Sequence, residues 1–132
     1  MVTETFPQDI PNQFMEVAWA YVQFALENSA MFKTMFSGIL GKEDTYPEFV
    51  NISRKNFLQL VQLVLECQQI NLLRPGPADV LAVNVWSLVH GFVSLYLEKQ
   101  ISHTILNRMS LKELLCQTLN QITLLELTLP EE

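Results

Sequence analysis

The sequence predicts an all-α protein, a bundle of about five helices joined by short loops. Three observations carry this. Apolar residues recur at spacings of three and four along most of the chain, helix caps punctuate those stretches, and no segment alternates polar and apolar residues as a half-buried strand does. The chain has 132 residues, one domain's worth, and at this size roughly two-thirds of the unfolded surface is buried on folding. Hydrophobic residues make up 49% and charged residues 17%, a surplus of apolar surface that implies a partner.

Residues 1–11, with Pro7 and Pro11, are expected to form an extended lead-in, leaving 12–132 as a single helical domain. The first helix is expected over 12–27. Gln13, Glu16, Ala20, Gln23 and Glu27 form a solvated stripe opposite Phe14, Val17, Ala18, Tyr21, Phe24 and Ala25. Ser29 is placed to cap a short second helix, AMFKTMFS, which ends near Gly38 and Gly41, and GKEDTYP follows as a polar loop. A long third helix runs from about Phe49 to Ile70. Lys55, Gln59, Gln62, Glu66 and Gln69 face water, and Phe57, Leu60, Val61, Val64 and Cys67 face inward. Asn71 suits the left-handed residue that ends such a helix.

The fourth helix starts at Pro77, with Asp79 placed against its dipole, and continues to about Glu98. Its apolar residues point in nearly every direction, which predicts burial all round. Asn84, Ser87, Gly91, Ser94 and Glu98 form a ridge of mostly small side chains. Gly91 costs roughly 1 kcal/mol relative to alanine in mid-helix, and close approach of a second helix would offset it. After a loop containing His103, Ser110 and Glu113 make an S-x-x-E capping box. Leu111, Leu115, Thr118, Ile122, Leu125 and Leu129 then follow at coiled-coil spacing, a seam that Leu114 and Leu119 widen.

Several classes of function are disfavoured. The net charge is −6, with no basic run, so the phosphate-neutralising term that drives nucleic-acid binding is missing. Cys67 and Cys116 are far apart and in helical segments, which suggests reduced thiols and a cytoplasmic setting. The start of the chain lacks the pattern of a signal peptide. Val80 to Leu97, the best membrane candidate, is slightly short and is broken by Asn84, Ser87, His90 and Gly91. No catalytic constellation, cofactor motif or metal-ligand spacing is evident.

AYVQFALENSAMFKTMFS (20–37) and VWSLVHGFVSL (85–95) resemble the signatures of the C-terminal domain of TetR-type transcriptional regulators, in the subgroup called the WHG domain. Trp86, His90 and Gly91 supply the W, H and G. The likeness runs from about residue 14 through the last helix. Ser29 replaces a usual proline and Asn71 a usual glycine, both compatible with capping or turning a helix. The resemblance implies a dimerising sensor domain with a cavity for a mostly apolar effector, and DNA contact only through a helix-turn-helix headpiece that residues 1–13 are too short to form. The expectation is therefore either a fragment or a headless relative. In the first case Tyr21, Met35, Phe36, Phe57, Val61, Trp86 and His90 are the candidate ligand contacts. Asn84, Ser87, Gly91, Ser94, Leu95, Leu111, Leu115, Thr118, Ile122 and Leu125 are the candidate homodimer interface through the last two helices. In the second, the same surface serves a dimeric interaction protein that senses nothing. His90 has two readings: an effector contact, or a structural ring satisfied by a carbonyl or a facing side chain. Met31, Phe32, Met35 and Phe36 likewise read as pocket lining or as ordinary core.

Overall fold

The computed structural model describes residues 9–35 and 47–129, with side chains for 9–33 and 54–129. Among the described residues there are six helices and no strand: α1 (Ile10–Glu27), α2 (Ser29–Met35), α3 (Pro47–Gln69), α4 (Ala78–Leu97), α5 (His103–Arg108) and α6 (Leu111–Asn120). The all-α class stands, with one short helix more than the sequence predicts. The predicted GKEDTYP loop and the end of the second helix lie outside the described residues.

The helix starts follow local chemistry. The Asp9 carboxylate accepts from the Asn12 amide at 3.1 Å, which caps α1 and draws its start back to Ile10. Pro11 therefore sits in the first turn, where its missing N–H costs nothing, instead of holding the chain extended. Ser29 is already helical, one residue inside the predicted cap. Ser110 Oγ accepts from the Glu113 amide at 3.1 Å, and Glu113 Oε1 accepts from the Ser110 amide at 3.3 Å. The predicted capping box thus opens α6.

Two helices end in the same way. Asn71, at φ 62°, closes α3: its amide donates to Gln68 O at 3.1 Å, and that of Leu72 donates to Cys67 O at 2.8 Å. Lys99, at φ 58°, repeats the motif after α4, with Lys99 donating to Tyr96 O at 3.0 Å and Gln100 to Leu95 O at 2.8 Å. Gln68 Nε2 then donates to both Arg74 O and Gly76 O at 3.0 Å, tying the RPGP turn to α3. That turn returns the chain so that α4 packs on α3.

α4 packs on α3, α1 and α6, and α1 also touches α2, α3 and α6. The core joins Phe14, Met15, Val22, Val64, Leu72 and Val93 to Leu115 and Leu119. Lys112 fastens α6 to α1 by donating to Glu16 Oε1 at 3.0 Å, with its ammonium 5.8 Å from the Trp19 ring centroid. Gln13, assigned by its spacing to the wet stripe, is 2% exposed, because the neighbouring helices cover the first two turns of α1.

The last helix departs most from expectation. It stops at Asn120, and the chain turns back: the Leu124 amide donates to Leu72 O at 2.8 Å. The Asn120 amide group holds both sides of Leu127, its Oδ1 accepting from Leu127 N at 2.6 Å and its Nδ2 donating to Leu127 O at 3.2 Å. Leu127 is buried as a result, while Leu124 and Leu125 are exposed. Periodicity alone continued the seam through Ile122, Leu125 and Leu129. The side-chain turn at Asn120 and the burial of Leu127 in the core outweigh a further helical turn.

Candidate functional site

An apolar cleft of about 60 Å³ lies between α1, α3 and α4. Its deep wall is Phe14, Ala18, Leu63, Val85 and Val89, all buried. Its outer wall is Val17, Tyr21, Leu60 and Trp86, the last 38% exposed. Among the described residues no polar atom faces the space and no charged side chain lines it. Helical spacing places these residues: Phe14, Val17, Ala18 and Tyr21 recur at three and four on one face of α1, as do Val85, Trp86 and Val89 on α4.

Beside the cleft, three polar side chains form a chain of hydrogen bonds. Trp86 Nε1 donates to the Tyr21 hydroxyl at 3.3 Å, and that hydroxyl is 2.9 Å from His90 Nδ1. Burial pushes the Tyr21 phenol above its ordinary 10.0, against the smaller opposing effect of the Trp86 bond. Burial also pushes the His90 imidazole below its ordinary 6.5. Near neutral pH both groups are uncharged, so the Tyr21 hydroxyl and His90 Nδ1 share a neutral hydrogen bond whose donor is set by the tautomer of the ring. His90 is thus satisfied by a facing side chain, the structural reading of its place in the sequence.

Aromatic contacts extend this link over four helices. The Phe32 centroid is 5.1 Å from that of His90 and 6.0 Å from that of Tyr21, edge-on to the latter. Phe57 is 6.2 Å from Trp86. The structure therefore brings Tyr21, Phe57, Trp86 and His90 together, with Tyr21 and Trp86 on the cleft wall. Val61 packs partly buried against the core. The Met35 side chain and Phe36 lie outside the described residues. Phe32 is buried whereas Met31 is exposed, which splits the predicted Met/Phe cluster. Sequence reasoning assigned Phe14, Val17, Ala18, Leu60, Val85 and Val89 no ligand role. They differ from other core residues only in facing an unfilled space, and no linear pattern marks that.

α4 is not buried all round. Ala82, Val85, Val89, Phe92 and Val93 enter the core, but Val80, Val83 and Leu95 are 61%, 47% and 52% exposed. Asn84 and Ser87 are exposed, and Gly91 and Ser94 half-buried. A Cβ placed on Gly91 would meet nothing within 4 Å. Among the described residues, none makes the close approach expected at this glycine. α6 contributes less to such a surface than its spacing predicts. Leu115 is taken up by the core, Leu111 and Thr118 are half-buried, and its wet side is Glu113, Gln117 and Gln121.

Ala78–Leu97 is long and apolar enough to cross a membrane, with a mean hydropathy of 1.7. A core helix passes the same test, and five of this helix's residues are in the core. Among the described residues no group of His, Cys, Asp and Glu could hold a metal. Cys67 and Cys116 are free and buried.

Among the described residues, helices packed around an apolar cleft, with a central helix buried on one face, define an all-α helical domain. The chain matches the family described as tetracyclin repressor-like, C-terminal domain, over residues 14–119, and it belongs to that family. A solved structure described as a protein with unknown function from Rhodococcus sp. RHA1 has the same fold, with a TM-score of 0.66 at 18% identity. The match covers 91% of this chain and 59% of that one, so the present chain spans about three-fifths of its neighbour's length. No curated protein matches the sequence.

Proposed function

We propose that this chain is the effector-binding and dimerisation domain of a TetR-type transcriptional regulator. It senses a mostly apolar small molecule and relays that to a DNA-binding headpiece outside the present residues. The observation that carries the reading is the division of α4 between two tasks. Val85, Trp86 and Val89 line the cleft, while Asn84, Ser87, Gly91, Ser94 and Leu95 make a surface of small and apolar side chains with open space beyond Gly91.

Small residues allow a second copy's helix to approach closely, and α4 with the flank of α6 at Leu111 and Thr118 forms half of a four-helix bundle about a two-fold axis. A molecule in the cleft presses on the same helix that meets the partner. It shifts the arrangement of the dimer by the difference in its affinity for the two states. In this assembly the cytoplasm is the setting and DNA is met only through the headpiece.

Sedimentation and a ligand screen test the two halves separately. The dimer predicts twice the chain mass of 15.2 kDa at micromolar concentration, and a monomer there overturns it. A ligand at a hundred times its dissociation constant raises stability by roughly 2.7 kcal/mol, visible as a melting shift across a panel of lipophilic compounds. The size of the cleft favours a second reading, because drug-sized sites span about 300–1,000 Å³. In that reading the chain is a dimeric interaction domain that binds no effector, and a dimer silent to the whole panel selects it.

A further inference from the structure

We propose that the cleft takes the hydrocarbon end of a straight-chain, uncharged amphiphile, whose polar head stays in solvent at the rim formed by Trp86. This rests on the effector-binding reading and narrows it to one chemical class.

Three features of the cleft lead there. Among the described residues its wall offers no polar atom and no charged side chain, so a polar atom of a ligand would be stripped of water with nothing there to replace it. The polar cluster described beside it is occupied internally: the Trp86 N–H is given to Tyr21, and the Tyr21 hydroxyl is bonded to His90 Nδ1. A ligand seeking a hydrogen-bond donor there would have to break that chain. The net charge of −6 further disfavours an anionic head.

Size selects the shape. A volume of about 60 Å³ has room for about two to three carbons at roughly 25–30 Å³ each, the share of liquid volume that a water molecule takes and close to that of a methylene. It is less than half the roughly 150 Å³ of a cavity known to take up benzene. A ring must be accommodated whole, whereas a chain can place only its terminal carbons inside and leave at the rim. The cleft has such a rim: Phe14, Ala18, Leu63 and Val89 close its depth, and half-exposed Trp86 stands at its edge.

The test is calorimetric titration of the whole chain with 1-alkanols from methanol to decanol, with cyclohexanol, benzyl alcohol and hexanoate for comparison. Affinity should rise about fourfold for each methylene buried and level off after about two to three carbons. Hexan-1-ol should bind more tightly than either ring or the carboxylate. Val17→Trp, at the half-exposed outer wall, should abolish the chain-length dependence, and Val89→Ala should move the plateau to longer chains. Affinity indifferent to chain length, tighter binding of a ring or of hexanoate, or an unchanged series in Val17→Trp overturns the proposal. In those cases binding of another class leaves the effector reading standing. Silence towards every compound, in a chain that melts normally, overturns the proposal, and the melting shifts of the lipophilic panel then decide the effector reading separately.

Discussion

The Tyr21 hydroxyl and His90 Nδ1 lie 2.9 Å apart across 69 residues of sequence, and the same hydroxyl accepts the Trp86 indole N–H at 3.3 Å. Tyr21→Phe keeps the ring and deletes both bonds. It should lower stability by about 1–2 kcal/mol, because two partly buried groups lose their partner. Urea denaturation measures this, and an unchanged midpoint would show that water replaces the hydroxyl at no cost.

His90 makes stability depend on pH. Burial lowers its pKa in the folded chain from the ordinary 6.5, so between that value and its folded one the unfolded chain binds more protons. Stability should fall as pH drops through about 6.5 and level off once the folded ring has titrated. Melting from pH 8 to pH 5 should show a component of this slope that disappears in His90→Phe.

Gly91→Ala and Gly91→Leu should separate the fold from the assembly. Space beyond Gly91 is open in the single chain, so alanine should add about 0.5–1 kcal/mol to the helix itself. Leucine should leave the monomer's melting intact while weakening the dimer tenfold or more, read by sedimentation equilibrium. Loss of monomer stability in the leucine variant would place the ridge against the chain's own helices.

Asn120 holds the returning tail through both its oxygen and its nitrogen. Asn120→Ala should cost about 1–3 kcal/mol by leaving the Leu127 backbone groups without partners. Hydrogen exchange at the Leu127 amide should accelerate in this variant before the α1 core is affected. Equal protection in both proteins would mean that the burial of Leu127 alone secures the tail.

The Cys67 thiol is pushed up to about 12, chiefly by burial and secondarily by Glu66. Burial likewise raises Cys116, with Glu126 adding to it. Thiolate is the reactive form, so neither cysteine should react with an aromatic disulfide reagent at pH 8 in the native chain, and both should after unfolding. Rapid native modification of Cys67 would show that the third helix opens locally.

Much of the architecture was legible because it depends on neighbours in sequence. The capping box at Ser110 and Glu113, the left-handed Asn71 and the wet stripe of α3 are each decided within four or five residues. Lys99 adopts the same left-handed form as Asn71 but gave no warning, since lysine has no special preference for it. The site was half legible. Trp86 and His90 stood out as polar features of an apolar helix, whereas the deep wall of the cleft is made of ordinary core residues.

The helical class and three of the helices to within about two residues were written in the local pattern, because helical period and capping are local and repetitive, while the TetR-like likeness came from two short segments around Tyr21 and Trp86. Packing between helices set which face of α4 the described residues leave uncovered, the turn back at Asn120, and the pairing of Tyr21 with His90. Each of these depends on how much space the other helices leave, and packing sets that space in three dimensions.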